Sequence, residues 1–374
     1  MMTRASFVYS PVSARYTLSE DHPLRPQRLE MTCELLDAYG AFRLVNSKLL
    51  SPEPATDADI LTFHSNDYLD AVKRLSRGEK VFNATRYNIT PFGDNPPYDG
   101  MYDIGLLAVG GSLQGTRLVA DGACEAAFNI TGGYHHAAAN SASGFCVFND
   151  IVIAIKSLLA RGLRVAYVDI DAHHADGVQN AFHDTNRVLS ISLHESGKYL
   201  FPGTGDTSDV GTDEGEGYTV NIPFEPYATD EVYLWAFREI VPPLVKKFAP
   251  DILVTQLGCD THFLDPLTHM RLTTEGYTEV ITELKTLCPR WLAIAGGGYN
   301  VDVAARCWAL AYGVMIGREW PDDVPPAYQS RYGVRKLRDR AGPDVDADTK
   351  AKTMAAARET VAELKRFFFP LHGL

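Results

Sequence analysis

Residues 164–174 read Arg-Val-Ala-Tyr-Val-Asp-Ile-Asp-Ala-His-His, so an apolar run passes directly into two aspartates and two histidines. A short continuous apolar run is typical of a strand that is buried on both faces of a parallel sheet. Residues 252–260 repeat the arrangement, with an apolar run that ends shortly before Asp260. The two stretches therefore predict buried strands over residues 164–169 and 252–257, with polar side chains at or just past the carboxyl end of each.

Further apolar runs alternate with helical patterns along the chain. Strands are also predicted at residues 7–9, 126–130, 188–193 and 291–295. Helices are predicted after Pro26, from the capping residues Asn149 and Asp150 to about Leu159, and along a face formed by Tyr277, Val280, Ile281, Leu284 and Leu287. The alternation predicts an α/β fold with a mostly parallel central sheet that is covered by helices on both faces.

Nothing in the sequence divides the 374 residues into separate domains. No linker rich in proline, glycine or serine interrupts the chain, so we predict a single domain over residues 1–374. Its C-terminal segment, about residues 346–368, is predicted to be helical and peripheral. Two long segments, about residues 78–100 and 195–217, are candidate functional loops, because structureless loops of this length are uncommon in compact domains.

The charge and the cysteines narrow the classes of partner and location. A net charge of −12 and a pI near 5.4 argue against nucleic acid as the main partner. They favour cationic substrates such as lysine tails or polyamines, although an acidic surface also serves solubility alone. No membrane-spanning stretch and no secretory signal are visible, so a cytoplasmic protein without membrane contact is expected. The cysteines form no Cys-x-x-Cys pair and fit a reducing compartment; they are Cys33, Cys124, Cys146, Cys259, Cys288 and Cys307.

Polar clusters follow several of the predicted strands. The carboxyl ends of strands line the ligand crevice of an open α/β sheet, so these clusters are expected to meet at one rim. Asp171, His173 and Asp260 are the predicted metal ligands, because two carboxylates and an imidazole suit zinc and also accept iron(II) or cobalt(II). The alternative is that each aspartate only caps the helix that follows it.

Two adjacent histidines and a tyrosine complete the predicted chemistry. His135 and His136 follow two glycines, whose irregular backbone can aim both rings inward. Each ring then needs a carboxylate that fixes its tautomer; Asp169 and Asp176 are available, although Asp176 could equally cap the next helix. Tyr299 follows three glycines, and a phenol there can donate to a developing oxyanion. A plain turn is the alternative explanation of these glycines.

Together these motifs resemble the histone deacetylase superfamily, which shares the arginase-type α/β fold. The matching segments occur in the expected order, and they are DHPLRPQRL (21–29), GGYHHA (132–137), GFCVFND (144–150), VDIDAHHADGVQ (168–179), SLHESGKYLFPGTGD (192–206), QLGCD (256–260) and GGGYNVDVAARCWA (296–309). Within the superfamily the chain most resembles the bacterial acetoin-utilisation-type deacetylases, close to the class I enzymes.

The resemblance implies a catalytic role for each residue already singled out. The three predicted metal ligands would hold zinc. His136, paired with Asp176, would act as general base and acid. His135, paired with Asp169, would give electrostatic support, and Tyr299 would polarise the amide carbonyl of the substrate.

The resemblance also implies a substrate tunnel and two structural potassium sites. The tunnel and its rim would be formed by Asp94, which would hold the substrate backbone, and by Gly144, Phe145, Phe201 and Leu267. The inner potassium site would use Asp169, Asp171, His173, Ser192 and Leu193. The outer potassium site would use Phe182, Thr185, Val188 and Tyr218.

The sequence departs from the family pattern at two places. Ala175 stands where the family often has glycine, and this change leaves every predicted ligand in place. Phe263 and Leu264 are bulky where many eukaryotic members have small residues, which would narrow the rim against a large protein substrate.

The predicted function is zinc-dependent removal of acetyl or other acyl groups from the ε-amine of lysine in a peptide or protein. An alternative enzyme would use the same site on an acetylated small amine such as a polyamine. A third hypothesis, an inactive module that binds acyl-lysine, requires the loss of a ligand or catalytic residue, and all of them are present. Iron(II) stays an alternative to zinc, and no coiled coil or swapped element indicates an oligomeric state.

Overall fold

A parallel sheet forms the centre of the computed structural model, which describes residues 3–16, Leu18 and residues 21–374. In these residues the strands are β1 (Thr3–Val8), β2 (Ser47–Leu50), β3 (Cys124–Asn129), β4 (Val165–Asp169), β5 (Val188–Glu195), β6 (Thr219–Phe224), β7 (Ile252–Gln256) and β8 (Trp291–Ile294). All neighbouring strands pair in parallel, and their order across the sheet is β2-β1-β3-β8-β7-β4-β5-β6. The predicted α/β fold with a parallel sheet is therefore confirmed.

Helices connect the strands and cover the sheet. In the described ranges they are α1 (Gln27–Ala38), α2 (Asp57–Ile60), α3 (Asn66–Ser76), α4 (Met101–Ala120), α5 (Asp150–Ala160), α6 (Asp176–Ala181), α7 (Asp230–Phe248), α8 (Thr274–Leu284), α9 (Val301–Ile316), α10 (Pro326–Tyr332) and α11 (Ala347–His372). The prediction that Leu287 belongs to the apolar face of a helix was wrong. Helix α8 ends at Leu284, and Leu287 lies in the turn beyond it. Thr286 and Leu287 donate their N–H groups to carbonyls only three residues earlier, so the α-helical hydrogen bonds have ended, and Pro289 disfavours helical backbone at Cys288.

Both faces of the sheet are buried, and β4 shows why its sequence is continuously apolar. Val165 and Tyr167 pack on one face, in the hydrophobic cluster that contains α5. Ala166 and Val168 point to the opposite face and pack in the cluster that contains α7, α8 and α9. Because successive side chains of a strand alternate between faces, a strand between two helical layers has no polar side.

The register of the central strands brings the predicted polar clusters to one edge of the sheet. Asp169 at the end of β4 pairs with Gln256 at the end of β7 and with Ser192 in β5. Gln256 pairs in turn with Ile294 at the end of β8, which pairs with Asn129 at the end of β3. The segments after β3, β4, β7 and β8 therefore leave the sheet side by side.

The C-terminal helix α11 lies beside β6, at the edge of the sheet. The residues that it buries recur every three or four positions and pack toward α7 and β6; they are Thr353, Ala357, Val361, Leu364 and Phe368. The helix predicted for residues 346–368 is thus present, and it continues to His372. Among the described residues, no helix combines the length and the apolar character needed to cross a bilayer.

Candidate active site and metal centre

Three buried side chains that follow β4 and β7 converge at the carboxyl edge of the sheet. One donor atom each from Asp171, His173 and Asp260 lies within 4.8 Å of the other two. Asp171 Oδ1 and Asp260 Oδ2 lie 3.0 Å and 2.9 Å from His173 Nδ1. Neither aspartate is a helix cap, because the helices that follow have other residues at their N-caps. The structure therefore assembles the three predicted ligands.

Each carboxylate of this cluster is oriented through its second oxygen. Asp171 Oδ2 accepts hydrogen bonds from the Gln256 side-chain amide and from Gly297 N–H, both at 2.7 Å. Asp260 Oδ1 accepts a hydrogen bond from Ala172 N–H at 2.8 Å. The other oxygen of each carboxylate is thereby turned toward the imidazole, so these hydrogen bonds set the direction of the donor atoms.

The donor set fits a divalent metal ion. Two carboxylates and one imidazole form a three-ligand set that leaves a position open for water or substrate, as in catalytic zinc sites, and iron(II) accepts the same ligands. Burial opposes a charge on His173, but its hydrogen bonds to Asp171 and Asp260 and their charges raise its pKa well above the usual range. The cluster thus strongly favours positive charge, as a cation site must.

Three consecutive glycines let the segment after β8 pass directly against the cluster. A Cβ atom on Gly297 would lie 2.1 Å from Asp260 Oδ2, and one on Gly296 would lie 2.0 Å from Gln256 Nε2. Gly298 adopts a φ of 147°, which disfavours any residue with a side chain. The close approach to the ligands explains the glycines, so they are more than a plain turn.

Gly297→Ala is expected to lower metal affinity and turnover by about 10- to 100-fold, the usual effect of disturbing groups that orient metal ligands. The added methyl group would displace the carboxylates of Asp260 and Asp171. Metal content after dialysis and the rate of acetate release measure the two effects. Gly342→Ala is the matched control, because its Cβ would make only an ordinary 3.9 Å contact. Unchanged metal content and turnover in folded Gly297→Ala would contradict this explanation of the glycines.

The N-terminus of α5 holds the segment that carries the two histidines. Asp150 Oδ1 accepts hydrogen bonds from Gly133 N–H and Tyr134 N–H, each at 3.0 Å. Asn149 caps α5, as predicted, and its side-chain amide also donates to the His135 carbonyl at 3.2 Å. These bonds fix an irregular turn in which both neighbouring rings are buried.

Each histidine ring has a carboxylate partner. His135 Nδ1 lies 2.8 Å from Asp169 Oδ2, and His136 Nδ1 lies 2.7 Å from Asp176 Oδ1. Asp176 is the first residue of α6, and the N-cap residue of this helix is Ala175. Asp176 therefore does not cap the helix. The two predicted pairs are therefore formed.

The two rings differ in their affinity for protons. Burial lowers the pKa of His135, but Asp169 and Asp171 outweigh it and raise that pKa to about 9. Burial and the charge of His135 lower the pKa of His136 to about 4, despite the opposing effect of Asp176. At neutral pH His136 is unprotonated, and with its Nδ1–H donated to Asp176 it offers Nε2 as a proton acceptor.

Tyr299 lies in the same small cavity as the histidine pair and Asp171. Its ring centroid lies 6.3 Å from that of His173 and 5.8 Å from that of Phe145. Burial raises the pKa of its phenol well above the usual range, so the hydroxyl keeps its proton and is available as a donor.

Aromatic side chains surround the approach to His136. A Cβ atom on Gly144 would lie 2.4 Å from the His136 ring and 2.9 Å from the Phe201 ring, so this position has no room for a side chain. The Phe201 ring lies 5.0 Å from His136 and is 41% exposed, which places it between the cavity and solvent. Phe145 packs on His22 at 4.5 Å between ring centroids. The predicted tunnel walls therefore lie next to the catalytic candidates.

The other predicted substrate-binding residues lie farther out. Asp94 is exposed in the loop of residues 78–100, and its carbonyl lies 3.5 Å from His22 Nε2. Leu267 is half-buried, and its N–H donates to Asp265. Leu264 is 48% exposed in the same loop as Leu267. Asp94 is thus linked through His22 to Phe145, one of the predicted tunnel walls.

The residues of the two predicted potassium sites fall into two groups. The inner group joins the ends of β4 and β5, where Asp169 pairs with Ser192, and it consists of Asp169, Asp171, His173, Ser192 and Leu193. The outer group lies between α6 and β5 and beside the start of β6, and it consists of Phe182, Thr185, Val188 and Tyr218. Potassium at these two places stays a prediction.

The sequence analysis did not predict several residues that shape the site, or it interpreted them only as helix caps or core residues. Tyr167 and Gln256 lie inside apolar strands, yet the first donates to Asp169 and the second orients Asp171. A polar group within the last three residues of a buried strand is a signal that could have revealed both. The residues concerned are Asn149, Asp150, Tyr167, Gln256 and Asp265.

Known proteins resemble this chain over most of its length. The family model for the histone deacetylase domain matches residues 22–315. The chain is 35% identical over 334 residues to the acetoin utilization protein AcuC of Bacillus subtilis (strain 168), which covers 87% of this chain and 86% of that protein. It is 37% identical over 325 residues to histone deacetylase 19 of Arabidopsis thaliana, and this alignment covers 86% of this chain and 64% of the plant protein.

A solved structure supports the same assignment. The crystal structure of an HDAC homolog from Aquifex aeolicus matches with a TM-score of 0.87 and 28% sequence identity, covering 97% of this chain and 100% of that chain. The family match is accompanied by the intact Asp171, His173 and Asp260 cluster, which is consistent with zinc. The chain belongs to the histone deacetylase family and is a metal-dependent deacetylase.

Proposed function

We propose that this protein uses zinc to hydrolyse the acetyl amide on the ε-amine of lysine in peptides or proteins. One observation carries the proposal: an unprotonated His136, a phenol donor at Tyr299 and the ligand Asp171 line one small cavity. When bound by Asp171, His173 and Asp260, zinc would polarise the amide carbonyl and lower the pKa of water.

His136 is the proposed general base and acid. Its Nε2 takes a proton from the attacking water and then delivers that proton to the leaving amine of lysine. Asp176 supports this role because it accepts the Nδ1–H of His136 at 2.7 Å and so keeps Nε2 free for the transfer.

Two further groups stabilise the developing charge. The Tyr299 hydroxyl donates a hydrogen bond to the oxyanion that forms when water adds to the amide carbonyl. His135 lies 2.8 Å from Asp169, whose negative charge favours the protonated ring and supports an electrostatic role for His135 beside the reacting groups. A fixed positive charge in a buried site is worth more than in water, because the surroundings screen it less.

The shape and charge of the approach favour an acetylated lysine side chain. Phe145 and Phe201 are apolar walls that suit the aliphatic part of lysine. The exposed carboxylate of Asp94 can accept hydrogen bonds from a peptide backbone at the mouth of the tunnel. The net charge of −12 adds a general attraction for cationic peptides.

An acetylated small amine is the second candidate substrate. Leu264 is 48% exposed in the rim segment, and Phe263 stacks on His262 beside it. Bulky side chains there would hinder a folded protein more than a polyamine. A small amine has no peptide backbone and therefore gains little from Asp94.

Acetate release by the zinc-reconstituted protein separates the two substrates. We expect an acetyl-lysine peptide to be preferred over acetylated putrescine or spermidine. Asp94→Ala should lower kcat/KM for the peptide by about tenfold or more, the loss that corresponds to one hydrogen bond to a charged group. Asp99→Ala, an exposed carboxylate of the same loop, is the matched control.

Three results would count against the lysine substrate. A preference for the acetylated polyamine, or an unchanged peptide rate in Asp94→Ala, would favour the small-amine enzyme. Release from neither substrate, with zinc shown to be bound, would point to a different acyl group or to an inactive module that binds acyl-lysine. Reconstitution with iron(II) in parallel tests which metal supports the higher turnover.

A further inference from the structure

Asp265 is a buried carboxylate that the mechanism above does not use. Its Oδ2 accepts a hydrogen bond from Tyr299 N–H at 2.8 Å, and its Oδ1 accepts one from Leu267 N–H at 2.9 Å. The side chain belongs to a residue that is 7% exposed. One carboxylate therefore binds both the segment that carries the phenol and the segment predicted to form the tunnel rim.

The peptide bond between Gly298 and Tyr299 is held at both ends. Its carbonyl accepts a hydrogen bond from Arg28 Nη1 at 3.0 Å, and its N–H donates to Asp265. Gly298 has no side chain to restrict the backbone, and α9 begins only at Val301. Neither sterics nor helical hydrogen bonds fix the direction of this peptide, so its two side-chain partners must do so.

The two hydrogen bonds require a carboxylate at position 265. A buried charge is unfavourable unless hydrogen bonds compensate it, and here two backbone N–H groups do so. An asparagine in the same orientation could accept from only one of these groups, because they bind different carboxylate oxygens and the amide replaces one of those oxygens by an NH₂ donor. The other N–H would then face a donor in a buried place.

We propose that Asp265 is a positioning residue that fixes the direction of the Tyr299 hydroxyl and couples it to the tunnel rim at Leu267. The inference rests on the proposed function, in which Tyr299 stabilises the oxyanion. A donor held slightly out of place loses much of its effect, because stabilisation depends on its distance to the charge that develops. Asp265 acts on the reaction through Tyr299.

A double-mutant cycle on the zinc-loaded full chain tests this role. Asp265→Asn is expected to lower kcat for an acetyl-lysine peptide by about 10- to 100-fold with KM changed less than about twofold, as for other groups that orient site residues. In the Tyr299→Phe background, the same substitution should have no further effect on kcat, because the hydroxyl that it positions is absent. Asp302→Asn, an exposed carboxylate three residues after Tyr299, is the matched control.

The outcomes separate positioning from mere structural support. Equal losses of kcat in both backgrounds, or a loss that parallels lower zinc content and a lower Tm, would overturn the positioning role. So would wild-type kcat in Asp265→Asn. Wild-type turnover in Tyr299→Phe would overturn the proposed role of Tyr299 in catalysis, and with it the role of Asp265. Slow turnover in Tyr299→Phe combined with wild-type turnover in Asp265→Asn would overturn only the role of Asp265.

Asp265→Glu keeps the test decisive if Asp265→Asn does not fold. Glutamate retains two acceptor oxygens on a chain longer by one methylene, so it should fold but displace the Tyr299 N–H and lower kcat relative to wild type. Its effect should again vanish in the Tyr299→Phe background. A glutamate variant that is folded and zinc-loaded, but equally impaired with and without the Tyr299 hydroxyl, would overturn the inference.

Discussion

Replacing His173 by alanine is expected to reduce acetate release by at least about 1,000-fold, which is the effect of losing several kcal/mol of stabilisation of the transition state by a bound metal. His173 Nδ1 lies within 3.0 Å of the donor oxygens of Asp171 and Asp260. Its removal leaves two buried carboxylates without the imidazole between them, so the affinity for zinc should fall together with turnover.

The measurement pairs metal analysis with acetate release. Wild-type protein treated with a chelator should lose activity and regain it with added zinc, whereas His173→Ala should regain none at equivalent zinc. His269→Ala is a matched control, because this partly exposed histidine pairs with Glu195 rather than with the cluster. A His173→Ala protein that binds zinc with unchanged stoichiometry and turns over normally would show that the cluster is not the catalytic metal site.

Tyr299→Phe is expected to lower kcat by about 100- to 1,000-fold, the typical effect of removing one donor to an oxyanion. KM and zinc content should change little, because the phenol is not a ligand and the phenylalanine ring fills the same space. The fold should be intact, since phenylalanine keeps the ring and Tyr299 lines the cavity shared with His136.

Steady-state kinetics, zinc content and the thermal midpoint of the same preparation test this expectation. The split between kcat and KM is the informative quantity, because a group that acts only in the transition state lowers kcat and kcat/KM equally. Near-wild-type kcat in Tyr299→Phe would remove Tyr299 from the mechanism. A lower Tm with reduced zinc content would instead assign the residue a structural role.

Local patterns sufficed for most of the sheet. Buried strands such as β4 and β7 have continuous apolar runs, because both of their faces are covered, and their ends were predicted to within a residue or two. The short edge strand β2 and the strand β6 gave no comparable signal in the sequence. The end of α8 was misplaced because its apolar spacing continues to Leu287, which packs on the core from a turn.

The metal ligands could be predicted because of their position at strand ends. Asp171 and His173 follow β4 directly, and Asp260 follows the neighbouring strand β7, so parallel pairing alone makes them meet. From the residues alone, Asp176 could orient a histidine or cap the next helix, and the structure places its Oδ1 2.7 Å from His136 Nδ1. The sequence did not identify Asp150 and Gln256 as site residues. Their local sequence context is the same as that of an ordinary helix cap or an ordinary core residue.

Local features of the sequence were enough to predict the fold class, the three candidate metal ligands and the family motifs, since each depends on hydrophobic periodicity or on residues a few positions apart. Several further groups that hold the site in place became evident only from long-range packing. Gln256 on Asp171, Asp150 on the histidine turn and Asp265 on Tyr299 are contacts between residues 16 to 85 positions apart. Such contacts arise from strand order and loop packing, and no local sequence pattern encodes them. A single hydrogen bond contributes only about 1 kcal/mol and imposes no periodic spacing of residues on the sequence.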